Sequence, residues 1–253
     1  MIYPLQEKIG KPDLLVGRKK EFALFDKWIS LIPDMASKSR VILARRKSGK
    51  TSFIQRIFNR LWNANGQVIP FYFDIPDQKK WYPDFAIEYF NAFASQYISF
   101  LERDPLLVRN PLLMDEIKEY GQKRKDPLLT KTVDLLFEYK KMEHYGTMWD
   151  LAASAPHRFA SQTETRFLVI LDEFQNIASF IYPDREFKAP PIDSMAGSYH
   201  SLSESKVAPM LVTGSYVRWL INIMDKYLEA GRLSRIFMNP YLTEEEGLAA
   251  VYK

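Results

Sequence analysis

The sequence predicts an α/β protein built on a parallel, three-layer sheet. Short apolar runs alternate along the chain with longer stretches whose apolar residues recur at helical spacing. One run, Arg166 to Leu171 (RFLVIL), is apolar almost throughout, as suits a strand covered on both faces. The 253 residues are 47% hydrophobic and 14% aromatic, which excludes disorder as the main state and allows a full core.

The elements follow in order. Residues 1–16 carry Pro4, Gly10 and Pro12 and read as an irregular lead-in. Lys19 to Ile32 reads as a helix, with Phe25, Trp28, Ile29 and Ile32 on one face and Pro33-Asp34 as its stop. Ser39 to Ala44 is a short strand, and a polar loop, Arg45 to Lys50, leads into a second helix. That helix lines up Phe53, Ile54, Ile57, Phe58 and Leu61 and closes at Asn63 to Gly66. Gln67 to Ile75 is a second strand. Residues 82–155 are helical in pattern, with segments Phe85 to Leu101, Leu106 to Tyr120 and Leu128 to Met142 split by Gly121 and Asp126-Pro127. Arg166 to Leu171 is the third strand, and proline-rich Tyr182 to Gly197 reads as a loop. Met210 to Thr213 is the fourth strand, followed by a helix over Val217 to Leu228, and Ile236 to Met238 is a short fifth strand. Thr243 with Glu246 matches a capping box that opens one more helix. The domain reading is therefore 1–242 as one unit, with a helical insertion at about 95–155. Residues 243–253 start a truncated C-terminal lid or helical domain of a longer protein.

Cysteine is absent, which removes disulfides, zinc–thiolate sites and cysteine nucleophiles and suits a cytoplasmic setting. Three scattered histidines (His144, His157, His200) do not suggest a histidine metal site. No apolar run approaches the length of a membrane span, and the N-terminal residues lack the apolar region of a signal peptide. The formal charge of +4 hides an asymmetry. Residues 1–60 hold 14 Lys and Arg against 5 Asp and Glu, while the rest of the chain nets −5. A basic N-terminal quarter suits an anionic ligand: nucleotide phosphates, nucleic acid or an acidic partner.

Two motifs carry chemistry. Ala44-Arg-Arg-Lys-Ser-Gly49-Lys50-Thr51 lies between a strand and a helix and nearly matches GxxxxGK[ST], the P-loop. Such a loop turns backbone N–H groups toward a β-phosphate, and the following helix adds the positive end of its dipole. Arg46, Lys47, Ser48, Gly49, Lys50, Thr51 and Ser52 are the candidate nucleotide-binding residues. Lys50 would reach the β- and γ-phosphates, and the Thr51 hydroxyl would ligate Mg²⁺. Ala44 stands where the first glycine is usual, with some loss of backbone freedom expected. The second motif is Phe167-Leu-Val-Ile-Leu-Asp172-Glu173, an apolar strand ending in two carboxylates. Asp172 would hold Mg²⁺, and Glu173 would polarise the attacking water.

With these residues in view, the chain resembles P-loop ATPases of the AAA+/STAND group, especially the archaeal-type ATPases. The resemblance rests on four segments: Leu15-Val16-Gly17-Arg18-Lys19-Lys20-Glu21, ARRKSGKTSF, LVILDEFQNI and LVTGS (Leu211 to Ser215). Together they cover about residues 14–240. The resemblance implies a three-layer P-loop NTPase (AAA+-like) fold with a parallel sheet and a helical insertion. It implies Val16 and Gly17 near the adenine, and Ser215, or second Thr213, as the sensor of the γ-phosphate or attacking water. Gln175 and Asn176 would help transmit nucleotide state, with helix capping an equal alternative. Arg232 or Arg235 would be an arginine finger acting on a neighbouring subunit, with an exposed salt bridge as the competing role. Lys50 and Asp172 are 122 positions apart, longer than a minimal core of this kind, and the excess falls in the helical insertion.

The leading function is an ATPase switch or motor domain with ATP and Mg²⁺ as cofactors. Its partners would be ATP/ADP, a second copy, or a protein bound through the insertion or a C-terminal part. Two alternatives stay open: a nucleic-acid-handling ATPase of the transposition-helper or initiator type, and a non-catalytic nucleotide-binding scaffold. The aromatic row Trp81, Tyr82, Phe85, Tyr89, Phe90, Phe93 and Tyr97 falls at helical spacing and reads as core rather than as a base-stacking surface.

Overall fold

A computed structural model describes residues 1–228 and 231–252. Helix α1 (Lys19–Ile29) precedes β1 (Arg40–Leu43), and α2 (Lys50–Ala64) leads to β2 (Val68–Asp74). A short strand β3 (Lys80–Trp81) then opens a helical run: α3 (Tyr82–Glu102), α4 (Leu106–Arg109), α5 (Met114–Arg124), α6 (Pro127–Lys141), α7 (Tyr145–Ala153) and α8 (Ala155–Thr163). Next come β4 (Arg166–Asp172), β5 (Ile181–Tyr182), α9 (Tyr199–Leu202), β6 (Met210–Gly214), α10 (Val217–Ile223), β7 (Ser234–Phe237) and α11 (Glu244–Val251).

The main sheet runs β2-β4-β6-β1-β7 with every pairing parallel, as the alternating pattern predicts. Its three layers follow from the pleat of β2, where successive side chains face opposite ways. On one face Phe71 meets Tyr89 and Phe93 of α3 at 5.2 and 5.4 Å between ring centroids. On the other, the Tyr72 hydroxyl accepts from Gln55 Nε2 of α2 at 3.4 Å. Phe93 also packs on Phe167 of β4 and Phe159 of α8. Phe85, Tyr89, Phe90, Phe93 and Tyr97 are all buried, so most of the aromatic row is core.

β2 is an edge strand, and α3 covers its free side. Gln96 donates to Tyr72 O and accepts from Tyr72 N, both at 2.8 Å, so one amide satisfies both free backbone groups. Pro70, which lacks an N–H, is tolerated in such an edge position.

The lead-in is more ordered than its prolines suggest. Asn63, Asn59 and Gln55 stand four residues apart on α2 and bond the backbone of Ile2, Leu5 and Lys8 in turn. Arg56 of the same helix donates from Nε and Nη2 to the two oxygens of buried Glu7 at 2.7 and 2.8 Å. This ladder delivers Lys8 to the carboxyl end of the sheet.

Other departures have local causes. The helix expected over Leu106 to Tyr120 is split by Asn110-Pro111, because the residue before a proline avoids helical angles. Gly121 does not end α5: a Cβ there would lie 3.0 Å from Thr130 and 3.1 Å from Leu129, so the glycine lets α6 approach. The Tyr182 to Gly197 stretch contains the end of β5, which pairs with β3, and most of a 3-10 turn over Asp193–Ser198 that leads into α9. α10 gives way at Met224 to a wider π-type turn through Leu228. The last sheet strand begins at Ser234, two residues before the expected one.

Candidate functional site

β1 delivers the loop of residues 44–49 to the carboxyl edge of the sheet. Gly49 has φ +79° and is the N-cap of α2, with open space where a Cβ would be. Conformation, not crowding, therefore asks for glycine here. Ala44 is buried and lies outside the left-handed region, so it tolerates a side chain. The left-handed turns of the loop fall at Lys47 and Gly49 instead. The loop closes through Ser48 N to Arg45 O at 3.3 Å. Lys50 and Ser52 are buried, Thr51 is half-buried, and Ser48 Oγ is buried with no partner. An unpartnered buried hydroxyl, a buried ammonium and the free N–H groups of the first turn of α2 fit a phosphate.

The two acids end β4. Asp172 is fully buried and needs donors. They are Thr213 Oγ1, its neighbour's backbone N–H at 3.0 Å, and the Tyr72 hydroxyl at 3.4 Å. Glu173 turns out of the strand with φ +51°. Its Oε1 accepts from Ser215 Oγ, and its Oε2 accepts from Ser215 N at 2.9 Å and Gln175 Nε2 at 2.6 Å. Burial pushes this carboxyl up, but the bonds from Ser215 and Gln175, with the Lys50 charge nearby, outweigh it and hold it below its ordinary value. The two sensor candidates thus divide the acids: Thr213 holds Asp172, and Ser215 holds Glu173.

Gln175 and Asn176 sit in a 3-10 turn just after the acids. Asn176 donates to Ile75 O at 2.9 Å, tying the turn to the end of β2. Gly214 leaves room for Gln175, since a Cβ there would collide with Gln175 Oε1.

Three site residues escaped the sequence reading. Asp74 ends β2 in register with Asp172. Burial raises its carboxyl, the Lys8 ammonium at 2.9 Å opposes that, and the charges of Asp172 and Glu173 raise it further. For Lys8, burial is outweighed by Asp74 and the two other carboxylates, which keep the ammonium protonated to higher pH. Lys8, Asp74, Glu173, Gln175 and Ser215 line a cavity of about 560 Å³, within the range of small-molecule sites. The third residue is Arg18, 5% exposed, whose Nη2 donates to Ser48 O at 2.9 Å and whose Nη1 donates to Asn239 O at 2.5 Å. A strand-end match between Asp74 and Asp172 was the available signal for the first; Arg18 lies in the Val16-Gly17-Arg18 segment but has no role assigned there, and nothing local marks Lys8.

The remaining candidates lie as follows. Gly17 has φ +77°, and Glu246 of α11 packs where its Cβ would be. Val16 beside it is half-buried. Arg46 and Lys47 are exposed, and the Arg46 side chain turns to Tyr216. Arg232 pairs with Glu204 at 2.7 Å, and Arg235 on β7 pairs with Asp225 at 2.6 Å. Each would have to leave that pair to act on a neighbour. Among the described residues, no group of three His, Cys, Asp or Glu side chains could hold a metal. Thr51 and Asp172 are a sparse protein set of the kind that, with phosphate oxygens, suits Mg²⁺. No helix among the described residues is long and apolar enough to cross a membrane.

No family model and no curated protein matches the chain. Solved structures do. The chain shares its three-layer α/β fold with the Walker-type ATPase PABY2304 of Pyrococcus abyssi. That alignment covers 100% of this chain at a TM-score of 0.59 and 13% identity. The chain spans 60% of that protein's length. The ORC2 protein of Aeropyrum pernix aligns in its ADP form at TM-score 0.45 and 16% identity, over 88% of this chain and 48% of its own. Its ADPNP–ADP complexes align at 0.39 and 18%, over 87% and 47%. At 13% identity the likeness to PABY2304 is one of fold.

Proposed function

We propose that the chain binds ATP with Mg²⁺ and hydrolyses it to ADP and phosphate, as an AAA+/STAND-type switch or motor domain. The observation that carries this is buried Lys50 at the head of α2, with its charge acting on Glu173 just past the end of β4. Lys50 and the loop amides of Arg46 to Ser52 would bind the phosphates. Thr51 and Asp172 would hold Mg²⁺, whose role is to neutralise charge on the β- and γ-oxygens. Glu173, kept ionised by its donors, is the group able to take a proton from water. Its oxygens already accept three donors from Ser215 and Gln175, of about four lone-pair positions, so contact with water falls to Oε1, which holds the Ser215 hydroxyl alone. Ser215 would thereby report nucleotide state, and an arginine of a second copy, Arg232 or Arg235, would complete the site. Coupling to a partner through the helical insertion or a C-terminal part belongs to the same proposal.

Calorimetry with ATP and Mg²⁺, on the native chain and on Lys50→Ala, tests the reading, with phosphate release followed in parallel. Binding lost in the variant, with release in the native protein, is the expected outcome. Absence of binding in the native chain would remove the proposal, and binding without release would leave only a nucleotide-binding scaffold.

A further inference from the structure

Beside the nucleotide site runs a second groove, of about 520 Å³, between the P-loop and α10. Its walls carry Arg45, Arg46, Tyr216, Arg218, Trp219 and Asn222, and among the described residues no carboxylate lines it. Tyr216 and Trp219 are 49% and 39% exposed, with ring centroids 6.1 Å apart and planes inclined at 64°. Arg46 lies 4.9 Å over the Tyr216 ring and donates to its hydroxyl at 3.2 Å, which holds the ring in place.

These cations are left over from the rest of the fold. Of the fourteen Lys and Arg residues in the N-terminal quarter, four are ion-paired: Lys8 on Asp74, Arg18 on Glu21, Arg56 on Glu7 and Arg60 on Asp26. Among the described residues, Arg45, Arg46 and Arg218 have no ion-pair partner. The proposed phosphate site takes backbone amides and Lys50 from the loop, and leaves the exposed side chains of Arg45 and Arg46 unused.

A groove with guanidinium groups, open aromatic faces and no acid suits a flexible polyanion that carries planar rings. We infer that it binds single-stranded nucleic acid, with a base stacked on Trp219 and backbone phosphates on Arg45 and Arg218. A duplex keeps its bases stacked on each other and cannot offer one to an indole. An acidic peptide would satisfy the arginines but leave the aromatic faces without a flat partner. Arg46, Ser215, Tyr216 and Trp219 also line the cavity that holds Glu173, so the groove adjoins the proposed hydrolysis site, and strand binding is tested without nucleotide.

The test is a titration without nucleotide, using labelled oligo-dT and oligo-U of about 20 residues at roughly 50 mM salt, with tryptophan emission recorded alongside. The variants are Trp219→Ala, Trp219→Phe and Arg218→Gln, at exposed positions, with melting curves to verify folding. We expect salt-dependent binding of one or both strands, the stronger one separating DNA from RNA. Trp219→Ala should weaken it by roughly 5- to 150-fold. Trp219→Phe should keep most of the affinity but lose the quenching of emission. Arg218→Gln should lower the slope of log K against log salt by about 0.7. The inference is overturned by failure to bind either strand, by equal binding of a duplex, or by affinity unchanged in folded variants. Sedimentation showing that Trp219→Ala dissociates a dimer, with no oligonucleotide bound by the native chain, would make the groove a contact between copies instead.

Discussion

Glu173 and Ser215 grip each other from adjacent strand ends: the Ser215 hydroxyl donates to one oxygen of the carboxylate and its backbone N–H donates to the other. The pair joins the residue proposed to activate water with the residue proposed to sense a γ-phosphate. An incoming phosphate that took the Ser215 hydroxyl would free one oxygen of Glu173 in the same movement. Nucleotide occupancy and activation of the base are then one event.

Removing the hydroxyl tests this. Glu173 is held below its ordinary carboxylate value, so its donors contribute stability above that value, and the contribution is lost as pH falls through the lowered one. Ser215→Ala should cost about 1 kcal/mol near neutral pH, since Glu173 is only half-buried. The deficit should shrink in acid. Urea unfolding at pH 7 and at a pH well below the ordinary carboxylate value, about 2 to 3, measures both. An equal deficit at the two values would mean that the hydroxyl does not act through the Glu173 charge.

Glu173→Gln should preserve ATP binding while abolishing most turnover, because an amide cannot take a proton from water. A loss of about 10²- to 10⁴-fold in rate is expected for a general base. The amide also places a donor near Gln175 Nε2 or Ser215, so the turn after β4 should loosen slightly. Retained phosphate release would show that another group, Asp74 being the nearest in register, takes the proton.

Gly214→Ala addresses the support behind the clamp. Its Cβ would collide with Gln175 Oε1, and that side chain has little room in its buried seat. Destabilisation of about 1–3 kcal/mol is expected from overpacking. Gln175→Ala in the same chain should recover most of it, since the offending atom is then gone. A double-mutant cycle from thermal melts gives the coupling, and additive losses would place the strain elsewhere.

What could be read without the structure was what local pattern dictates. The P-loop and the strand carrying Asp172 announce themselves through continuous apolar runs that end in polar residues, and the sheet follows from their alternation with helices. The finer site did not show, because it depends on contacts between distant positions. Asp74 gains meaning only when β2 pairs in register with β4. Lys8 reaches it only because Gln55 and Asn59 on α2 hold the lead-in. Gln96, set in an aromatic helix, covers the sheet edge through a pairing with Tyr72 that no local pattern marks. The 3-10 turn over Asp193–Ser198 sits in a stretch whose prolines suggested only a loop, because its order comes from packing and not from propensity.

Arg18 supplies the last prediction. Its guanidinium spans two carbonyls that belong to different parts of the chain, Ser48 O in the P-loop and Asn239 O between β7 and α11, and it also pairs with Glu21 at 3.0 Å. Next to it, Lys19 N donates to Glu246, the residue that caps α11. A planar fork can serve two acceptors at fixed angles, whereas an ammonium cannot hold the same geometry. Arg18→Lys should therefore cost about 1–3 kcal/mol, and Arg18→Met more, since both carbonyls then lose a charged donor. The two segments should also come apart together. Hydrogen exchange should speed up in residues 45–50 and in α11 of the same variant, and ATP should restore protection to both if the loop is what organises the fork. Faster exchange in the loop with α11 unchanged would confine Arg18 to propping the P-loop and break the link to the C-terminal helix.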